Sequence, residues 1–396
     1  MNETSVTPLP NATLDTCGGK AATLGRLLRE GLPVPEGFVV PFSAHRAARV
    51  DPGLRAPAEL EHEVAEALTL LGDPPVAVRS SATNEDGAGA SAAGQYESLL
   101  AVRGVAAVVE AIRDCWTSAS SARVAAYRSR TGEEISRAEA EMGVLVQRLV
   151  DADVSGVMFT PTRPDGPTRI EASPGLGLAV VGGIVSPDTY EVAADGTVRS
   201  ALGRKETRLD RDENRGGVVT RPVPEHQRSA PSLDESTAAR LAALGRRVAE
   251  LLDGPQDIEW AIADGTTWLL QARPITAPIP EAPASEPAPD NSSLNGTPGS
   301  HGVVTGTARV VRGPSDFGRV RAGDILVCPY TDPAWTPLFT VAGGVATETG
   351  GALSHAAIVA REYNLPAVIG VPHATTLVRD GATVTLDGTA GTLTPH

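Results

Sequence analysis

The 396-residue sequence has room for two or three domains with sizeable cores. Its apolar (41%) and charged (21%) fractions are those of an ordinary globular protein, and a formal net charge of −14 argues against nucleic acid or an anionic membrane as the main partner. No basic–apolar–small leader opens it, no run reaches membrane-spanning length, and its three cysteines are far apart with no CxxC pair; a soluble cytoplasmic protein without a zinc or disulfide framework is expected.

The first predicted element is the helix of "GGKAATLGRLLREG". Ala21, Leu24, Leu27 and Leu28 fall at helical spacing, and Gly31 closes the run. The glycines before Lys20 allow backbone amides, the helix dipole and the ammonium to converge on an anion, although the GxxxxGK[ST] spacing of a Walker A loop is absent. Only two of the 34 basic residues are lysine, Lys20 and Lys205. So strong a bias to arginine should keep lysine where a compact ammonium is required.

"PVAVRSSAT" and "MGVLVQRLV" read as strands. The stretch "VRSSATNEDGAGASAAGQ", residues 78–95, mostly small residues, suits a flap over phosphates or a plain surface loop. "GLGLAVVGG" lacks both the GxGxxG spacing and an acidic residue at the distance a dinucleotide site requires, so it is not read as one. "SLDESTAARLAALGRRVAELLDG" is a helix with a capping-box pattern at Ser232 and Glu235. Leu241, Leu244, Val248 and Leu251 form one face, and Gly254 lies beyond its end.

"QDIEWAIADGTTWLLQARP" predicts a hairpin with a three-residue turn centred on Gly265. Ile258, Trp260 and Ile262 then oppose Ala272, Leu270 and Trp268 on an apolar face. Glu259 opposes Gln271 and Asp257 opposes Arg273 on the other. Two oxygen ligands side by side suit magnesium, and a neighbouring guanidinium suits phosphate. A water-facing polar surface is the plainer reading of the same pattern, and a one-residue register error would separate the pair.

Residues 275–296, rich in proline, alanine and acidic residues, read as a semi-rigid linker spanning on the order of 60 Å at polyproline rise. Beyond it come several short strands around one or two helices. Among them "TETGGALSHAAIVARE" places His355 directly after a double glycine, at the mouth of an apolar helix.

In order, "GGKAATLG", "GLPVPEGFVV", "AVRSSATNED", "ASAAGQYES", "VLVQRLVDADVSGVMFT", "SPDTYEV", the hairpin, "GDILVCPYTDPAWTPLF" and "GGALSHAAIVARE" resemble one family over nearly the whole chain. It is the dikinase family of phosphoenolpyruvate synthase, pyruvate phosphate dikinase and rifampin phosphotransferase. The resemblance implies an α/β (α+β) chain: an ATP-grasp nucleotide domain (1–274), the Pro-rich linker (275–296) and a small swivelling β/β/α phosphohistidine domain (297–396). It implies that Lys20, Arg79 and Arg273 contact the ATP phosphates, that Gln95 also binds nucleotide, and that Gln147 and Leu149 line the adenine site. Glu259 and Gln271 would hold Mg2+, and His355 would be phosphorylated, with Arg273 and Lys20 assisting. The double glycine would let phosphate approach the backbone, and Ser354 would cap the helix.

The implied activity is an ATP- and magnesium-dependent phosphotransfer that releases AMP and phosphate and passes the group from His355 to a small-molecule acceptor of the natural-product or antibiotic-like kind. The alternatives are a phosphocarrier that delivers to a separate acceptor-binding protein, a phosphoenolpyruvate synthase-like enzyme, and a non-catalytic ATP-binding relic, against which the intact site residues argue. Three departures stand out. Only 41 residues follow His355, without the barrel that binds pyruvate in relatives. Leu353 replaces a threonine used for regulatory phosphorylation, so that control is not expected. Leu178 stands where the family has glutamate.

Overall fold

Three larger β-sheets and one small hairpin carry the computed structural model, which describes residues 6–49, 58–82, 98–118, 141–277, 279 and 293–396. The first sheet joins β1 (Thr7–Pro8), β2 (Gly37–Val40), β3 (Val76–Ala82), β4 (Ser98–Val102) and β5 (Met142–Arg148) in the antiparallel order β1-β2-β5-β3-β4. The second joins β6 (Val154–Phe159), β7 (Thr168–Pro174), β8 (Asp188–Val192) and β9 (Val198–Ala201) to the hairpin of β12 (Gln256–Ala263) and β13 (Thr266–Pro274). Its order is β13-β12-β6-β7-β8-β9, again antiparallel. Between them in sequence, β10 (Thr207–Arg211) and β11 (Val218–Pro222) pair only with each other.

The third sheet gathers β14 (Leu294–Asn295), β15 (Thr297–Ser300), β16 (Val303–Val310), β17 (Ile325–Cys328), β18 (Gly344–Thr347), β19 (Ala367–Ile369), β20 (Thr383–Asp387) and β21 (Thr392–Pro395). β16 to β19 run parallel. "ILVC", "GVAT" and "AVI" are buried throughout, as expected where a parallel sheet is covered on both faces. β20 instead alternates, with Val384 and Leu386 inward and threonines between. Leu294 and Asn295, inside the stretch read as linker, already pair with β21.

The helix Gly19–Arg29 buries Ala21, Leu24 and Leu27, as its spacing predicts. The long helix Glu235–Leu251 also forms, but its cap differs. Asp234, not Ser232, is the N-cap, its carboxylate accepting from the Thr237 N–H at 2.6 Å. Such a cap contributes about 1 kcal/mol. Ser232 donates its backbone N–H and its hydroxyl to Asp188 at 2.7 Å each. That carboxylate also takes the ammonium of Lys205, at 2.6 and 2.7 Å, inside the protein. Lys205 donates further to the Ala230 carbonyl. Both lysines, Lys20 and Lys205, are buried. Asp188→Ala strands a charge where no water reaches it and should cost about 3–5 kcal/mol in urea unfolding.

The hairpin corrects the expected turn. Asp264 and Gly265 both take positive φ in a two-residue connection of the primed kind, and Ala263 faces Thr266. A bulge between Glu259 and Trp260 then absorbs one residue. Trp260 consequently faces Leu269 and Ile262 faces Thr267, while Glu259–Gln271 and Asp257–Arg273 remain paired as read.

Beyond the described hairpin, the two halves of the chain touch. Leu353 and Ile358 pack with Val157, Phe159, Leu176, Val180 and Ala261. Thr349 donates to the Gly183 carbonyl at 2.7 Å, Arg204 to the Glu348 carbonyl at 2.6 Å, and Thr276 to the Glu362 carboxylate at 2.8 Å.

Candidate active site: a cleft that closes on His355

The second sheet aligns four side chains in one row. Gln271 faces Glu259, Glu259 faces Val157 across β6, and Val157 faces Glu171 across β7. Residues directly opposite on neighbouring strands share a face, so the row presents an amide, a carboxylate, an apolar spacer and a second carboxylate. From the first sheet Arg79 reaches across. Its guanidinium donates to Glu259 Oε2 at 3.0 Å, to Gln271 Oε1 at 2.5 Å and to the Leu270 carbonyl at 2.6 Å. The Glu259 and Gln271 oxygens therefore converge on one point.

A cavity of about 480 Å³ opens over this row. Lys20, Arg79, Gln147, Leu149, Glu259, Gln271, Arg273 and His355 all line it. Of the residues expected to bind nucleotide or metal, Gln95 lies outside the described residues. Of the stretch read as a flap, residues 78–82 belong to β3 and residues 83–95 lie outside the described ones. Arg273 is held by Asp257, with Nε at 2.9 Å and Nη2 at 2.8 Å from one oxygen. Burial raises the Asp257 pKa, and the guanidinium opposes that rise. Gln147 donates to the Pro35 carbonyl at 2.9 Å. Ala77, Ala152, Leu176 and Val181 add an apolar wall suited to a base.

Lys20 enters the cavity because its helix starts against β3. Gly18 has φ +86°, and a Cβ there would lie 2.1 Å from the Ser81 carbonyl oxygen. The Ala21 N–H goes to Ser81 Oγ at 3.1 Å, so this amide serves the packing of the helix and is not offered to an anion.

His355 is the first residue of the helix His355–Glu362. Its Nδ1 lies 3.0 Å from the Thr331 hydroxyl, and Phe339 meets the ring edge-on with centroids 6.5 Å apart. Ser354 occupies the N-cap position but donates its hydroxyl to the Gly351 carbonyl at 2.8 Å, so it does not cap through its side chain as expected. The double glycine meets protein in this arrangement: a Cβ on Gly351 would lie 2.3 Å from both Glu171 carboxylate oxygens. Leu353 is buried, and its N–H donates to Glu171 Oε1 at 3.2 Å.

Thr331, Glu171 and Arg361 went unremarked in the sequence. Thr331 lies inside the quoted "CPYTDP" motif, and Glu171 is a lone acid in the apolar strand "RIEASP". Those were the available signals. Burial lifts the Glu171 pKa to about 7, against the pull of the Leu353 and Ala352 amides and of Arg361. Burial likewise lowers Arg361 to about 10.

Residues 52–293 match the family model of the pyruvate phosphate dikinase AMP/ATP-binding domain, and residues 320–391 match that of the PEP-utilising enzyme mobile domain. The chain belongs to the pyruvate phosphate dikinase family. It is 35% identical to a probable phosphoenolpyruvate synthase of Methanothermobacter thermautotrophicus, over 94% of this chain and 60% of that protein. The phosphoenolpyruvate synthases of Aeropyrum pernix and Pyrococcus furiosus are 34% and 36% identical, over 96% and 85% of this chain and 56% and 44% of theirs. The chain thus spans about half the length of these curated relatives.

Within this dikinase-family chain most of the cleft's lining falls in the stretch matched as ATP-binding domain, and His355 falls in the stretch matched as mobile domain. Leu178 lines the cavity and is 41% exposed, so it puts an apolar side chain on the cavity wall. Among the described residues no group of three or more His, Cys, Asp or Glu gathers for a metal, and no helix is long and apolar enough to cross a membrane. Glu259 and Gln271 nevertheless fit a hard cation that fills most of its shell with phosphate and water.

Proposed function

We propose that this chain is a dikinase-type phosphotransferase that loads a phosphoryl group from ATP onto His355. The observation that carries the reading is that His355, from the mobile half, lines one cavity with Lys20, Arg79, Glu259, Gln271 and Arg273 from the nucleotide half. The domain limits that serve it are 1–274, 275–296 and 297–396.

In this mechanism Lys20, Arg79 and Arg273 bind and orient the polyphosphate, and Gln147 and Leu149 flank the base. Thr331 holds Nδ1 of His355, so Nε2 attacks the β-phosphorus. The bond from that phosphorus to the α-phosphate oxygen breaks and AMP leaves. Water then removes the terminal phosphoryl group as phosphate, leaving monophosphorylated His355. Magnesium, held by Glu259 and Gln271, would supply charge neutralisation on the phosphates. Arg79 now occupies the Glu259 and Gln271 oxygens and would release them on turning to the phosphates. His355 is only 4% exposed in this arrangement, so delivery requires the mobile half to undock.

The group then passes to a small-molecule acceptor, of the natural-product kind or carried by a separate protein. A phosphoenolpyruvate synthase-like reaction is the second reading, favoured by the names of the relatives. Incubation with magnesium and ATP should give a base-stable, acid-labile phosphoprotein, with AMP as the nucleotide product on chromatography. ADP as sole product would overturn the reading. Phosphoenolpyruvate formed on adding pyruvate would select the second acceptor.

A further inference from the structure

We infer that Glu171 is a positioning residue that docks the His355 loop in register with the phosphate-binding row of the nucleotide half. The inference rests on the loading reaction proposed above and concerns what holds the two halves in the loading geometry.

Three observations carry it. Glu171 Oε1 accepts the Leu353 N–H, two residues before His355, in a hydrogen bond that crosses from one half of the chain to the other. Gly351 leaves the carboxylate its room, since a Cβ there would stand 2.3 Å from each oxygen. Arg361, on the His355 helix, is buried facing Glu171 and Asp257. It donates to the Gly299 and Ala352 carbonyls, and its Nε and Nη2 have no hydrogen-bond partner among the described residues. These two nitrogens and the second Glu171 oxygen, also without a hydrogen-bond partner among them, place opposite charge on the two sides of the interface.

The sheet supplies the ruler. Glu171 and Glu259 stand in one row with Val157 between them. Strands repeat at about 4.8 Å, so the two carboxylates are fixed about 10 Å apart by backbone hydrogen bonds. The row therefore sets where the His355 loop lies relative to the Glu259–Gln271 oxygens. A displacement near 1 Å at a reacting atom can cost about 100-fold in rate. Glu171 is not among the residues that line the nucleotide cavity, so its effect reaches the reaction through the loop.

The test is single-turnover loading of His355 by magnesium and ATP in the full chain, with ATP affinity and thermal unfolding measured alongside. Glu171→Ala should slow loading by about 10- to 100-fold, with ATP affinity unchanged and the chain still folded at the assay temperature. Glu171→Gln, which keeps the shape and an acceptor for Leu353, should recover most of the rate. Gly351→Ala should reproduce the defect from the other side. Because its methyl group fills the space the carboxylate vacates, the double variant with Glu171→Ala should load no more slowly than either single one. Unchanged loading in Glu171→Ala would overturn the inference, as would losses that multiply in the double variant or an equal loss of ATP affinity. A wild-type chain that never loads His355 would remove the loading reading itself, a separate and recognisable result.

Discussion

His355→Ala should leave no acid-labile phosphoprotein while ATP still binds. The substitution removes the one imidazole that lines the cavity among the described residues, and the proposed nucleophile with it. Water and the remaining side chains offer no group that can form the same intermediate, so the loss should reach at least about 10⁴-fold, the scale seen when a covalent nucleophile is removed. Lys20, Arg79 and Arg273 belong to the other half and keep their surroundings, so ATP affinity should stay within about threefold by equilibrium titration, a shift of less than about 1 kcal/mol. The Phe339 ring loses its edge-on neighbour, and Thr331 loses Nδ1. His355→Asn, which returns a polar group to Thr331, separates loss of chemistry from loss of packing. Both variants should fail to load; an alanine variant that fails while the asparagine one loads would deny His355 its covalent role.

Glu259→Ala and Gln271→Ala should each slow loading by about 10²–10³-fold, the usual effect of removing one group that stabilises transition-state charge. The two should not multiply when combined, because they act as one unit on one cation. Folding should survive. The apolar face of the hairpin, with Ile258, Leu269 and Ala272 buried, is untouched, and Arg79 retains the Leu270 carbonyl. Chelation of magnesium should abolish loading in the wild type and add little to the defect of the double variant. Rapid-quench measurement of phosphohistidine at saturating ATP checks this. Wild-type rates in both single variants would mean that these oxygens serve only to hold Arg79.

Part of the candidate site was legible because Glu259, Gln271 and Lys20 lie where local pattern sets direction, whereas Arg79, Gln147 and Leu149 entered only through the family resemblance. Period-two alternation put Glu259 and Gln271 on the polar face of one hairpin, and that pairing survived an error in the turn because the bulge compensated for it. The scarcity of lysine pointed to Lys20, and the glycines before His355 pointed to a close approach. The partner in that approach was not legible: Glu171 and Leu353 are 182 residues apart and meet only when the halves dock. Caps failed for a related reason. Ser232 fits a capping box locally but is claimed by the buried Asp188–Lys205 pair, a competition that no short window of sequence contains.

The central claim is that one cleft passes the β-phosphoryl group of ATP to His355. Single-turnover reactions with ATP labelled either at the β or at the γ phosphorus test it most directly. The account predicts that β label ends on His355 and γ label ends in free phosphate, with AMP released in step. Label from the γ position on His355, with ADP as the departing nucleotide, would contradict it.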